Sequence, residues 1–251
     1  ILEKAGVATL SGRYFVLHER HRAHRPPGHE RDDAMAYFAS LGHRAFAKPL
    51  NGSRGDFAEP LDGGDALEGY IARVAQFHDS ILLQPIVNGD EYRIFLLDGE
   101  EVFTVRKFPP ALIGDGVRTR RALRDAHDRA LRAHGLSPSG GAFDRAEEII
   151  PAGQRDPLPG RMNRSAGGAM AFARPRRHAA AVAMARQAAQ ALGLRAAAVD
   201  LFTEIGGDEA AQAVIEINAN PSIRFLEDSG RDDLVLKIWR HTFAAIGLID
   251  V

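Results

Sequence analysis

Two strand pairs, each closed by a glycine turn, constrain this chain more than any other feature. Residues 91–97 and 101–108 flank Asp98-Gly99, and residues 196–203 and 213–217 flank a stretch holding Gly206-Gly207-Asp208. Asp-Gly between apolar-rich runs is a strong hairpin signal, and a hairpin commits its strands to antiparallel pairing. Helical patterns lie around these pairs. Residues 33–41 put Ala34, Tyr37, Phe38 and Leu41 on one face, and residues 65–77 do the same with Leu67, Ile71, Val74 and Phe77. Further helices are expected at 118–134, 176–192 and 232–246. Strands are expected at 12–17, 45–48 and 81–84, a strand edge at 147–151, a short helix within 1–9, and polar loops at 19–32 and 152–168. Hairpins mixed with helices give an α+β fold and argue against a doubly wound dinucleotide-binding sheet.

Charge and composition exclude whole classes. With 32 Lys+Arg against 33 Asp+Glu the formal net charge is −1, which leaves no global field to attract nucleic acid. No apolar run approaches the ~20 residues of a membrane-spanning helix. Neither nucleic acid nor membrane is therefore an expected partner. The absence of cysteine removes disulfides, thiolate nucleophiles and cysteine zinc sites, and the default compartment is cytoplasmic. A length of 251 residues fits one large domain or two apposed lobes. The chain opens Ile1-Leu2-Glu3-Lys4, without Met and without a signal-peptide pattern; the expectation is a piece of a longer polypeptide.

Three stretches could carry chemistry. Lys48 ends a strand and is followed by Pro49-Leu50-Asn51-Gly52-Ser53-Arg54-Gly55. An ammonium and glycine-loop N–H groups there can surround phosphate oxygens, although the spacing is not Walker A and a surface hairpin would look similar. Gln84-Pro85-Ile86-Val87-Asn88-Gly89-Asp90-Glu91 can offer extended backbone to a purine edge and a carboxylate to ribose; a plain strand–turn–strand is the simpler alternative. The third is the sharpest. Glu216 and Asn218 are two apart on one strand, so they share a face while Ile215 and Ile217 point to the other. Pairing with the strand of Asp200 would bring three oxygen donors together, a set suited to magnesium.

In that order and spacing, these stretches and Glu216-Ile217-Asn218-Ala219-Asn220-Pro221 resemble the ATP-grasp superfamily. Ile113-Gly114-Asp115-Gly116 with Arg118-Thr119, and residues 158–168 ending Asn163-Arg164-Ser165-Ala166-Gly167-Gly168, are similar to the cyanophycin-synthetase and bifunctional glutathione-synthetase branch. The resemblance implies an ATP-grasp fold of two α+β lobes clasping ATP, an N-terminal lobe over 1–84 and a magnesium-binding C-terminal lobe over 85–251. It further implies that Lys48 contacts ATP phosphates beneath a loop containing Gly52, Ser53 and Gly55. Gln84, Pro85 and Val87 fall at the adenine and Glu91 at the ribose. Asp200, Glu216 and Asn218 match ligands for one or two magnesium ions, with manganese as a substitute. Arg93 and Lys107 line the same cleft as catalytic candidates, and Arg164 matches a loop beside the acyl phosphate or the acceptor.

The activity so implied is an ATP-dependent, ADP-forming carboxylate–amine ligation on small-molecule substrates, with an amino acid or short peptide favoured. Phosphorylating a carboxylate gives it a leaving group, and phosphoryl transfer needs positioning and charge neutralisation more than a protein nucleophile. Residues 50–56 and 152–168 would serve as lids against hydrolysis. Ala198 stands where the D-alanine–D-alanine ligase branch carries an arginine, which argues against that substrate. Residues 158–162 also diverge from the family pattern, and relatives carry an N-terminal substrate domain, so a homodimer or an N-terminal domain outside this sequence is a further expectation. The competing reading is a non-catalytic ATP-binding module of a larger protein; the full Lys48, Asp200, Glu216 and Asn218 set argues against it. A histidine-based metal protein rests only on His18, His21, His24 and His29, whose arginine- and proline-rich context reads more simply as a solvated loop. Trp239 and Phe243, four apart on the last helix, are expected in the core.

Overall fold

The computed structural model describes residues 1–20, 22–52, 56–133, 144–158 and 168–249. Its strands are β1 (Arg13–Val16), β2 (Arg44–Pro49), β3 (Glu59–Asp62), β4 (Ser80–Gln84), β5 (Asp90–Leu97), β6 (Glu100–Phe108), β7 (Ala111–Ile113), β8 (Arg155–Pro157), β9 (Ala169–Phe172), β10 (Ala196–Thr203) and β11 (Ala213–Asn218). The helices are α1 (Arg31–Ser40), α2 (Ala66–Val74), α3 (Arg120–Ala133), α4 (His178–Ala191), α5 (Arg224–Asp228) and α6 (Asp232–Ala245). They fall into two compact units. Ile1–Leu10, Val87–Lys107 and Met170–Val251 make one, and Ser11–Ile86 with Phe108–Ala169 makes the other. The α+β expectation holds. No helix among the described residues is long and apolar enough to cross a membrane.

The unit built on Ser11–Ile86 has an antiparallel sheet in the order β1-β4-β2-β3. Alternation along β2 buries Ala45, Ala47 and Pro49 and turns Phe46 and Lys48 to the other face. The buried side packs Phe15, Ile81 and Leu83 against Phe38 of α1 and Leu67, Tyr70, Ile71 and Val74 of α2. Strand β3 was not expected, because Glu59-Pro60-Leu61-Asp62 offers one apolar residue and a proline. It lies at the sheet edge, where a missing N–H is tolerated. The polar loop expected at 152–168 is also partly overturned. Arg155–Pro157 pairs with Ala111–Ile113, since a ladder uses backbone groups and polar side chains need not prevent it. The strand edge expected at 147–151 shrinks to a single bridge between Thr119 and Ile149.

The other unit has a five-stranded sheet in the order β11-β10-β5-β6-β9. On one side α4 lays Ala181, Ala185, Ala188 and Ala189 against Ile94, Leu96, Val199 and Leu201; small side chains let helix and sheet approach closely. On the other, Leu226 of α5 and Leu234 and Ile238 of α6 cover Phe95, Phe103, Val105 and Ala198. The helix expected in 1–9 is a single 3-10 turn over Glu3–Ala5. The core expectation for Trp239 and Phe243 fails: they are 46% and 38% exposed, because α6 buries its Leu234–Ile238 side instead.

Candidate functional site

Period-two alternation sorts the central strands of the five-stranded sheet into two faces. One face carries Glu91, Arg93 and Phe95 of β5, Phe103, Val105 and Lys107 of β6, and Ala198 and Asp200 of β10. Register sets Asp200 opposite Arg93 on one side and Glu216 on the other, while Ala198 lies opposite Phe95 and Asn218. Where α5 and α6 cover this face it is apolar; beyond them it is charged. Gly89 lets β5 begin there, since a Cβ at that position would lie 2.8 Å from the Thr203 carbonyl oxygen.

The charged half is tightly paired. Arg93 donates from Nε to Asp200 Oδ1 and from Nη2 to Oδ2, each at 2.7 Å. Lys107 donates to Glu91 and lies 3.3 Å from Asp200 Oδ2. The side chains of Asp200, Lys107 and Glu91 are 2%, 5% and 11% exposed. Two cations thus answer two carboxylates out of water. Burial pushes the Asp200 carboxyl up, but Lys107 and the Arg93 hydrogen bonds outweigh it and hold Asp200 below the usual carboxylate range. Burial raises Glu91, with Lys107 opposing and the Asp200 charge reinforcing the rise. Lys107 goes up despite its burial, because Asp200 and Glu91 favour the ammonium.

A register shift follows Asp200, so that Leu201 pairs with Val214 and Ile215 is the extra residue of a bulge. The expectation that Ile215 and Ile217 share the face opposite Glu216 is therefore modified. Val214 and Ile217, an odd number apart, both pack on the α4 side, while Glu216 remains opposite Asp200. Bulges re-aim side chains in this way beside active sites. Asn218 Nδ2 donates to Glu216 Oε1 at 2.9 Å, and Glu216 is exposed.

Asp200, Glu216 and Asn218 offer hard oxygen donors of the kind magnesium prefers. Arg93 and Lys107 occupy three of the roughly four lone-pair positions of the Asp200 carboxylate, which leaves one for a metal. Among the described residues no three His, Cys, Asp or Glu side chains gather into a metal cluster. A cation here would therefore rest on two carboxylates and an amide, with water or substrate oxygens completing its shell.

In the four-stranded sheet of the other unit, Lys48 pairs with Leu82 and Phe46 with Gln84, so Lys48 and Gln84 share the face away from the core. Gln84 is buried, Pro85 and Val87 are half-buried, and Gly52 is exposed just after the turn at Leu50-Asn51. Ser53, Gly55 and Arg164 lie outside the described residues, as does His21. In the histidine-rich stretch, the His29 ring stacks on Tyr14 with centroids 4.0 Å apart and its Nδ1 lies 2.7 Å from the Tyr14 carbonyl oxygen. His18 pairs with Asp79 at 3.5 Å. The resemblance singled out Arg93 and Lys107 but not which carboxylates they hold, because no local signal links positions 93 and 200.

No protein-family model matches the chain. Cyanophycin synthetase of a Nostoc species is 25% identical over 212 residues, 77% of this chain and 23% of that protein. The chain thus spans about a quarter of the length of this relative. Among solved structures, D-alanine–D-alanine ligase from Bacillus anthracis has a TM-score of 0.52 at 13% identity, over 88% of this chain and 54% of that one. The fold is the ATP-grasp fold. A bifunctional glutathione synthetase from Pasteurella multocida matches with a TM-score of 0.46 at 19% identity, over 88% of this chain and 31% of that one. Within this ATP-grasp fold the β5, β6, β10 and β11 strands carry Glu91, Arg93, Lys107, Asp200, Glu216 and Asn218.

Proposed function

We propose that this chain binds ATP with magnesium and uses the γ-phosphoryl group to activate a carboxylate for attack by an amine. ADP and phosphate leave, and an amide or peptide bond remains. The observation that carries this reading is the buried Glu91–Lys107–Asp200–Arg93 network beside Glu216 and Asn218. A purely structural role explains it poorly. Burying charge costs several kcal/mol per ion, and apolar residues of similar volume would hold the sheet as well or better.

In this reading Arg93 and Lys107 are fixed cations that receive phosphate oxygens, while Asp200, Glu216 and Asn218 hold one or two magnesium ions. Magnesium, when bound, supplies charge neutralisation at the transferring phosphoryl group; manganese is proposed as a substitute. Glu91 accepts from ribose, Gln84, Pro85 and Val87 meet adenine, and Lys48 with Gly52, Ser53 and Gly55 serves the phosphates. Arg164 is assigned to the acyl phosphate or the acceptor. The carboxylate and amine are proposed to be amino acids or short peptides, in line with the likeness to cyanophycin synthetase.

A melting experiment with an activity screen tests the reading. ATP with magnesium at a hundredfold its dissociation constant should stabilise the chain by ~2.7 kcal/mol, and excess chelator should remove most of the shift. With a productive pair of amino acids, ADP release should fall by about 100-fold in Glu216→Gln, an effect the size of losing one transition-state donor. ATP affinity should fall far less. No stabilisation by any purine nucleotide would end the proposal. Tight ATP binding with no ADP release for any carboxylate–amine pair, and unchanged affinity in Glu216→Gln, would favour the non-catalytic module.

A further inference from the structure

Each carboxylate assigned to the cation accepts a hydrogen bond from a neighbour on the same sheet. Asp200 takes Arg93 Nε on Oδ1 and Arg93 Nη2 on Oδ2, both at 2.7 Å, with Lys107 Nζ 3.3 Å from Oδ2. Glu216 Oε1 takes Asn218 Nδ2 at 2.9 Å. Strand register builds these pairs in, since Asp200 stands opposite Arg93 on β5 and opposite Glu216 on β11. The members differ in access. The Arg93 side chain is 20% exposed, against 11% for Glu91, 5% for Lys107 and 2% for Asp200. Arg93 is therefore the donor that an arriving ion or phosphate meets first.

A guanidinium matches both oxygens of a carboxylate with its planar fork and keeps its proton at any ordinary pH. Burial alone would lower the Arg93 value, but the Asp200 hydrogen bonds and the Asp200, Glu216 and Glu91 charges raise it. Only a competing cation or a competing acceptor can loosen such a group. A divalent ion that reaches the last lone pair of Asp200 stands beside a guanidinium and an ammonium, and like charges repel most where water is scarce. Turning one Arg93 N–H away relieves this. With no new acceptor, that turn loses a charged hydrogen bond, roughly ten- to a hundredfold in affinity. A nucleotide phosphate oxygen is such an acceptor, because the same fork suits phosphate and carboxylate.

We propose that Arg93 makes cation binding conditional on nucleotide: it bars Asp200 to a free divalent ion, and yields one N–H to a phosphate oxygen when ion and nucleotide arrive together. The inference rests on the reading of Asp200 and Glu216 as cation ligands. Manganese takes the same hard oxygen donors as magnesium and is followed by electron paramagnetic resonance. Titrated into the full chain without nucleotide, over about 10 μM to 10 mM, it should bind Arg93→Gln at least tenfold more tightly than wild type. Adding Glu216→Gln to that variant should abolish the gain, which ties it to this site. The preformed manganese–ADP complex should show the opposite order, binding wild type at least tenfold more tightly than Arg93→Gln. A residue that merely supports the fold would move both affinities the same way. If Arg93→Gln does not fold, Arg93→Lys takes its place; it keeps the charge but cannot span both oxygens, and should raise free-ion affinity about threefold. A folded variant that binds free manganese no more tightly than wild type overturns the proposal, and so do two affinities that fall together. Failure of wild type to bind any nucleotide ends the ATP reading instead, and the free-ion comparison decides separately whether Arg93 bars Asp200.

Discussion

Asp98 and Asp200 are each held by an arginine and one further basic side chain. Each takes one bond on each carboxylate oxygen from a single arginine, Arg195 or Arg93, and each has a second basic side chain, His241 or Lys107, near Oδ2. Their surroundings are opposite. The Asp98 side chain is 44% exposed at the β5–β6 turn, whereas that of Asp200 is 2% exposed in the sheet. In water the Coulomb gain is small, screened by salt and offset by side-chain entropy. Out of water each charge must be answered by another, and removing one partner strands the other. The Asp98 group fastens α6 and the chain before β10 to the hairpin, and its exposure limits what it adds to stability. The Asp200 group constrains every residue it includes, and stability alone does not account for its presence.

Breaking the buried side should give the largest effect. Arg93→Met leaves Lys107 facing two carboxylates, and a denaturant titration should show a loss of about 3–5 kcal/mol. Adding Asp200→Leu restores a balanced Lys107–Glu91 pair and should recover much of that loss. If Arg93→Met is no less stable than wild type, the two groups do not differ as argued.

Acid sharpens the exposed side by a smaller amount. Hydrogen bonds from Arg195 and then His241 hold the Asp98 carboxyl well below the usual carboxylate range. A depressed folded-state value means that the contribution is present above about pH 4, the unfolded carboxylate's range, and is lost as pH falls through the folded value. The melting temperature of wild type should therefore exceed that of Asp98→Asn at neutral pH, and the gap should narrow steadily into acid. Asparagine tolerates the left-handed backbone at this position (φ 47°), so the substitution keeps the turn while removing the charge and one of the two acceptor oxygens. A gap that stays constant down to pH 2 would contradict this account.

The smallest effect is expected from Arg195→Met. Its melting midpoint at 1 M salt should match wild type, because screening has already removed what the pair supplies; a large residual difference there would show that the exposed group matters as much as the buried one.

Much of this contrast was hidden in the residues. Asp98-Gly99 signals its hairpin locally, and so do the runs that became β5, β6, β10 and β11. Glu216 and Asn218 could be put on one face because side chains alternate every residue along a strand. Strand β3 escaped notice because its only inward apolar residue is Leu61, and β8 because Arg155-Asp156-Pro157 contributes backbone and no hydrophobic pattern. Asp98 itself gave no sign of its partners, 97 and 143 positions away.

Elements, turns and shared faces depend on residues within about a dozen positions, the range over which periodicity and turn chemistry act, and the sequence already contained them. The motif order that pointed to an ATP-grasp fold was equally legible, since it is a property of succession along the chain. Pairing between Arg93 and Asp200 joins positions 107 apart, and the bulge at Ile215 depends on how β10 and β11 meet. Whether Trp239 is covered depends on which side of α6 the sheet accepts. These outcomes follow from packing between distant elements, where one-dimensional spacing carries no distance, and so they emerged only when the chain had folded.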